Sequence, residues 1–503
     1  MNRFARNTLF SSVGGLCTAL GGLVCAILAA RVLGPTGSGL VVYVLWIVMV
    51  VAAICDLGLG WCLVRFLPEL CGEGRAELLP SVVRHLLRPA LAAALGIPTA
   101  LGIAAFAGTI LLPEGVVPAF DPLRWGIVLA LCITQVLAAF FLCVQRGFQR
   151  FDLNARVIVV SMGAQIAGVA IGTFAFGVTG ALCGYLAGPL LTVLMLARAP
   201  GRGPEVPEVL RRRLRRYAMY NWASNLMSLI VWSRIEVVFL QHWFGSASVG
   251  LFSVGLTLSS LAVQAPLLFT GGILAFFAER TGQGDRRAVV TVLGFGVRIM
   301  ALAVLPLSFG LAALTPEVVP LIYGKGFGDA IDPATILIVS TGITAISTVT
   351  TSLVQAQERS GFLLANNLVG ATLLLAGDAL VIPHYGLMGA VACRAVVQMA
   401  MMVLGFGFVM QRLHFPLPLE NLARLMLASA ICGACARLSI VVVPGPAGLP
   451  LAIAVGAAAY FAAVRMLGAL GQDDLPQIQK LCDAVPNLMR PPIRTMTRLL
   501  VRA

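Results

Sequence analysis

The chain has 503 residues, of which 59% are hydrophobic and 11% charged, with a mean hydropathy of +0.95. No soluble fold hides that much apolar surface, so the composition excludes a soluble enzyme, a secreted scaffold and a disordered chain. The formal net charge of +14 points to arginine-rich cytoplasmic loops of a membrane protein and away from nucleic acid.

Apolar runs long enough to cross about 30 Å of hydrocarbon fall at 8–33, 39–62, 82–110, 124–146, 155–176, 178–198, 217–243, 247–277, 288–314, 333–355, 361–382, 386–411, 420–443 and 449–470. Their length predicts an all-α polytopic protein of about fourteen transmembrane helices, not a barrel of short alternating strands. The first run follows the basic stretch Met1–Asn7 and is too long for a signal-peptide core, so it is expected to remain as the first span. Most of the 12 cysteines lie inside apolar runs, where a thiol packs as a small hydrophobe. Cys432 and Cys435 form a CxxC with no histidine partner, and the four histidines have no ligand spacing. Neither a metal nor a cofactor is expected.

Charge placement orients the spans. Arg3 and Arg6, Arg75 to Arg88, Arg146 to Arg156, Arg198 to Arg216, Arg280 to Arg287, Arg359 and Arg412 all fall on one side of the expected bilayer. By the positive-inside rule that side is cytoplasmic, which places both termini inside. The tail carries Arg490, Arg494, Arg498 and Arg502 at four-residue spacing among Ile493, Met496, Leu499 and Leu500, the pattern of a basic amphipathic helix lying on the inner leaflet. The run from Arg211 to Arg216 is likewise suited to anionic lipid.

Three short patterns recur in order. Gly34-Pro-Thr-Gly-Ser-Gly39-Leu40 returns as Gly245-Ser-Ala-Ser-Val-Gly250-Leu251, Gln145…Asn154 as Gln355…Asn366, and Gly177-Val-Thr-Gly180-Ala181 as Gly386-Leu-Met-Gly389-Ala390. The offset stays near about 210 residues, which predicts a duplicated six-helix unit whose copies insert in parallel. The expected organisation is a six-helix lobe over 1–198, a basic cytoplasmic linker over 199–216, and a second lobe over 217–411. Two extra helices follow over 412–470, then the basic tail over 471–503.

The opening Asn7…Ala-Ala-Arg31-Val-Leu-Gly34-Pro-Thr-Gly-Ser-Gly39-Leu, followed by Asp56-Leu-Gly58-Leu-Gly60, resembles the start of the Wzx-type polysaccharide exporters. These belong to the multidrug/oligosaccharidyl-lipid/polysaccharide exporter superfamily. Arg234-Ile-Glu236-Val-Val-Phe-Leu…Gly245…Val-Gly250-Leu-Phe-Ser resembles the start of that family's second lobe, where Glu236 stands about where an acidic residue, more usually Asp, is found. The resemblance implies two lobes around a central cavity that opens alternately to each side. It also implies a flippase that carries undecaprenyl-pyrophosphate-linked oligosaccharide from the inner to the outer leaflet of the bacterial cytoplasmic membrane, for O-antigen, capsule or exopolysaccharide. A polysaccharide polymerase and chain-length machinery would then be partners, besides membrane lipid and the lipid-linked substrate.

Ionisable residues inside the spans are candidates for the site, because each costs at least about 2.5 kcal/mol to insert. A pyrophosphate calls for cations, and the planar fork of arginine suits it. Arg298, deep in the ninth run, is placed to serve; the competing reading is a buried pair with a carboxylate. Arg234 and Arg394 are cavity candidates that can also snorkel or pair, and Arg31 is either a phosphate contact or an interfacial anchor. Asn221, Asn225 and Ser228 share a face of the seventh run with Glu236, with Arg234 nearly opposite. Asp56, Glu236 and Asp378 can carry H+ or Na+ and couple transport to an ion gradient; the alternative is a fixed salt bridge, such as Asp378 with Arg394.

Two rival functions remain at this stage. A cation-coupled drug or metabolite antiporter of the same superfamily would want an acidic cavity. A membrane-embedded glycan polymerase or ligase would need an external catalytic segment, and the longest outer loop, 315–332, holds no nucleophile–base pair.

Overall fold

The computed structural model describes residues 3–111, 122–197, 201, 203–232, 234–267, 273–445 and 448–469. They form fourteen α-helices: α1 Arg3–Cys55, α2 Leu59–Gly72, α3 Leu79–Leu111, α4 Pro122–Gly147, α5 Phe151–Leu196, α6 Glu208–Trp232, α7 Glu236–Leu267, α8 Ile273–Gly282, α9 Arg286–Tyr323, α10 Ile331–Ala345, α11 Ser347–Ala356, α12 Ser360–Gln411, α13 Leu419–Val442 and α14 Gly448–Met466. Among the described residues, ten helical stretches are long and apolar enough to cross a membrane. Large side chains such as Ile171 and Leu380, each more than 70% exposed, suit contact with lipid. The tail over 471–503 lies outside the described residues.

Several predicted span pairs are single long helices with one irregular point. α1 breaks at Gly34 (φ 68°, ψ −174°) and α7 at Gly245 (φ 75°, ψ −177°). α5 breaks at Gly177 (φ 58°, ψ −134°) and α12 at Gly386 (φ 55°, ψ −134°). A positive φ with ψ this far from the helical well is essentially open to glycine alone. The repeat read from the sequence therefore reappears as matched backbone angles.

In α5 and α12 the break folds the helix into an antiparallel hairpin. The α5 arms meet at Gly172 with Gly180 and at Gly168 with Gly184, so closely that no side chain fits between their backbones. Thr192 donates a hydrogen bond to Ser161 at 2.8 Å further from the turn. The α12 arms meet at Gly377 with Cys393, and Gly370 receives Met401.

The chain divides into two compact units, Met1–Gly250 and Leu251–Ala503. In the first, α1 runs along α5, with Gly21 receiving Met162. One core joins α2 and α3 to α4 and α6 through Leu63, Phe66, Val82, Phe140 and Leu214. A second joins the later part of α1 to α3, α4 and α5 through Val44, Ala94, Leu131 and Leu182. This unit reaches past the expected linker because α6 and the start of α7 pack onto it. Residues 208–216 of that linker are helical and continue into α6. The two glycine turns of the repeat also meet within this unit: Gly39 abuts the Ser246 carbonyl, and Gly250 abuts the Pro35 carbonyl. The contact is reciprocal, each partner standing at the other's repeat position.

In the second unit, α9 is the central helix. Val297, Met300, Ala301, Val304 and Leu305 join a core that includes Phe277, Val349, Val409, Leu425 and Tyr460. The Tyr460 hydroxyl donates to the Leu302 carbonyl at 2.9 Å, and Arg437 pairs with Glu317 at 2.6 Å. These contacts fasten α13 and α14 to α9.

Replacing Gly172 or Gly180 by Val is expected to lower stability by at least the roughly 1–3 kcal/mol of ordinary overpacking, because backbone opposes backbone there. Gly163→Ala, in open space on the same helix, should be neutral or gain up to about 1 kcal/mol. Thermal unfolding midpoints of the purified variants in detergent check both; equal behaviour of the three would contradict the hairpin.

Candidate functional site

Two predicted spans are interrupted by left-handed backbone. The second, expected over 39–62, stops at Cys55 and restarts at Leu59, with Leu57 (φ 47°) and Gly58 (φ 69°) both left-handed. The seventh, expected over 217–243, stops at Trp232 and restarts at Glu236, with Arg234 left-handed at φ 60°. This corrects the one-helix reading of that run. Glu236 and Asn221 lie on different helices, so the shared face assigned to Asn221, Asn225, Ser228 and Glu236 does not carry across the break. A left-handed Leu or Arg costs about 1–3 kcal/mol, and irregular backbone at membrane depth persists only where protein or a water-filled cavity surrounds it.

Each break carries an ionisable side chain. The Asp56 carboxylate accepts hydrogen bonds from the backbone N–H of Gly58 and Gly60 at the start of α2. α6 closes over this point: the Trp222 indole donates to the Ile54 carbonyl at 3.0 Å, and Gly58 fits under the Ala218 carbonyl. Glu236 is fully buried as the first residue of α7, where the positive end of the helix dipole favours a carboxylate.

Of the polar side chains on α6, Asn221 donates to the Tyr217 carbonyl one turn back at 2.8 Å and Asn225 is exposed. The side chain of Ser228 lies outside the described residues. Arg31 is exposed, three residues before the Gly34 turn. In the second unit, Arg298 is half-buried on α9 and touches Gly294. Asp378 is fully buried and Arg394 is 7% exposed. Each follows by one residue a member of the contacting pair Gly377 and Cys393, so the α12 hairpin sets acid and base at one level.

Counting about 1.5 Å per residue along each helix, Glu236, Asp378 and Arg394 lie roughly 12–14 Å from their glycine turns, and Arg298 roughly 18 Å from the start of α9. Each distance is about half the length of a hydrocarbon-crossing helix. Asp56 lies near the arginine-rich side and Arg31 near the opposite one, so the ten predicted residues are not all at one depth. The reading from sequence missed Leu57, Trp222, and Arg65, whose guanidinium lies 4.5 Å from the Tyr217 ring centre. Its available signals were the glycines after Asp56 and the charged Ser-Arg-Ile-Glu step within an apolar run.

Repeated helical hairpins, helices broken at charged positions and ten stretches long and apolar enough to cross a membrane among the described residues mark a multi-pass membrane protein. The family described as "Polysaccharide biosynthesis protein" matches residues 4–271, more than half of the chain, and the chain belongs to that family. Its fold is shared with a structure of the "Lipid II flippase MurJ, inward closed conformation", at 13% identity and a TM-score of 0.69, covering 91% of this chain and 98% of that one. It is shared also with an inward-facing multidrug resistance MATE family transporter of the MOP superfamily, at 16% identity and a TM-score of 0.65, covering 81% and 98%. A MOP superfamily transporter from Pyrococcus furiosus, described as having a binding pocket of reverse polarity, matches at 16% identity and a TM-score of 0.56, covering 82% and 95%. No curated protein matches the chain in sequence. These structural neighbours are described as a flippase and as transporters.

Arg234→Gly should relieve the left-handed strain and hold or raise stability by about 1 kcal/mol, yet impair transport by removing a mid-membrane charge. Thermal unfolding of the purified protein, set beside transport in cells, separates the two effects. A variant that unfolds early would mean that the Arg234 side chain, and not its backbone, holds the break.

Proposed function

We propose that the chain is a flippase that moves polyprenyl-pyrophosphate-linked oligosaccharide from the inner to the outer leaflet of the bacterial cytoplasmic membrane by alternating access, for surface polysaccharide synthesis. The observation that carries this reading is arginine held at mid-membrane depth, Arg298 and Arg394, in a polysaccharide-biosynthesis family with a flippase-like fold. Desolvated guanidinium groups are strong partners for phosphate oxygens, and the cost of placing them in hydrocarbon is consistent with a task there. In this reading Arg298, Arg394, Arg234 and Arg31 serve the pyrophosphate along its path, and Asn221, Asn225 and Ser228 serve the sugars. The fully buried carboxylates Glu236 and Asp378 support coupling to H+ or Na+, while Asp56 is engaged at the start of α2. Both termini are cytoplasmic, and polymerase and chain-length machinery take up the delivered glycan.

A second reading, a cation-coupled multidrug or metabolite antiporter, draws on the same two carboxylates and on the MATE-like fold. The glycan polymerase or ligase draws no support from the structural neighbours.

Cells lacking the chain should accumulate lipid-linked glycan on the cytoplasmic face and lose surface polysaccharide. Arg298→Ala, returned at equal expression, should restore at most about a tenth of the surface glycan, the loss expected for one charge-assisted hydrogen bond of about 1.5–3 kcal/mol. Leaflet-resolved labelling of the lipid-linked glycan decides the point. Normal surface glycan together with new drug sensitivity would favour the antiporter.

A further inference from the structure

The five arginines between Arg211 and Arg216 are not equivalent. Arg211 pairs with Glu205 and Glu208, and its Nε donates to the Val206 carbonyl at 2.9 Å. Arg212 pairs with Glu208 at 3.1 Å. Arg213 pairs with Glu69 at 2.7 Å and lies 5.1 Å from the Phe66 ring centre. Arg215 and Arg216 are exposed, and neither makes an ion pair among the described residues.

The helix around them has two unlike faces. Leu210, Leu214 and Ala218 recur at four-residue spacing and are buried in the core with α2 and α3. At about 100° per residue, Val209, Arg212, Arg215, Arg216, Met219 and Tyr220 fan over the opposite arc. Val209 is 80% exposed, Met219 61% and Tyr220 78%. Three large apolar or aromatic side chains among unneutralised arginines suit neither plain water nor hydrocarbon. They suit the headgroup layer, where the rings and aliphatic chains sink and the guanidinium groups meet phosphate.

We infer that this outer face of α6 is a docking surface for the headgroups of anionic phospholipids in the leaflet beside the arginine-rich loops. Arg215 and Arg216 supply the charge, and Val209, Met219 and Tyr220 the interfacial anchor. The inference rests on the membrane fold and stands apart from the identity of the transported substrate.

The test places a photoreactive benzoylphenylalanine in the full chain, as Met219→benzoylphenylalanine, in vesicles of equal parts phosphatidylcholine and phosphatidylglycerol. A second chain carries the same group at Ile171, which is 71% exposed on α5. Mass spectrometry reads the lipid captured. Position 219 should capture phosphatidylglycerol in clear excess and position 171 neither lipid preferentially. Arg215→Gln and Arg216→Gln should each lower the excess about fivefold, the equivalent of about 1 kcal/mol per arginine, and added salt should lower it in the unmodified chain as well. Equal capture at 219, or an excess that survives both substitutions, would overturn the inference. So would displacement of phosphatidylglycerol from position 219 by added undecaprenyl pyrophosphate, which would give the surface to the transport path instead.

Discussion

In hydrocarbon, a backbone N–H or C=O without a partner costs several kcal/mol, and this constraint governs where the chain can bend. Helices satisfy it internally, so most of the molecule is helix, and departures from helix occur in two forms. At Gly34, Gly177, Gly245 and Gly386 a single residue of positive φ turns the chain, so few backbone groups are exposed at each turn. At Leu57 and Arg234 the helix breaks outright, and the breaks persist because protein covers them, as Trp222 and Ala218 cover the first.

Close packing replaces the hydrophobic effect as the force between these helices, because lipid is as apolar as their side chains. The α5 hairpin shows this at its limit, with glycine facing glycine on both arms. The equivalent hairpin α12 relaxes the rule: Gly377 faces Cys393 and Gly370 faces Met401, where α5 has the hydrogen-bonded pair Ser161 and Thr192. The same hairpin carries Asp378 and Arg394, with no charge at the matching places of α5. The duplication thus kept the backbone and diverged in the side chains, concentrating charge in the second copy.

The repeat was legible in the sequence because it is written in glycines, the residues that a positive φ demands. The apolar runs were equally legible, since length and hydropathy decide membrane spans. The breaks at Leu57 and Arg234 were not. Neither residue type favours a left-handed backbone, and only packing from α6 or a neighbouring charge selects it. That failure altered the site most: the face drawn through Asn221 and Glu236 presumed a helix that ends at Trp232. Depth counted along the observed helices sorts Arg298, Glu236, Asp378 and Arg394 from Arg31 and Asp56, whereas the sequence reading groups Asp56 with Glu236 and Asp378. Which side chains share an environment depends on rotation and register, and these emerge only from the packed arms.

The Gly34, Gly177, Gly245 and Gly386 turns also bear on how the molecule meets the world beyond the membrane. A turn held within a nearly continuous helix leaves no slack peptide. Proteases need an extended segment to bind, and antibodies need a raised epitope; at these four places the protein offers neither. At each of these turns the chain leaves little extended peptide to cleave or to recognise.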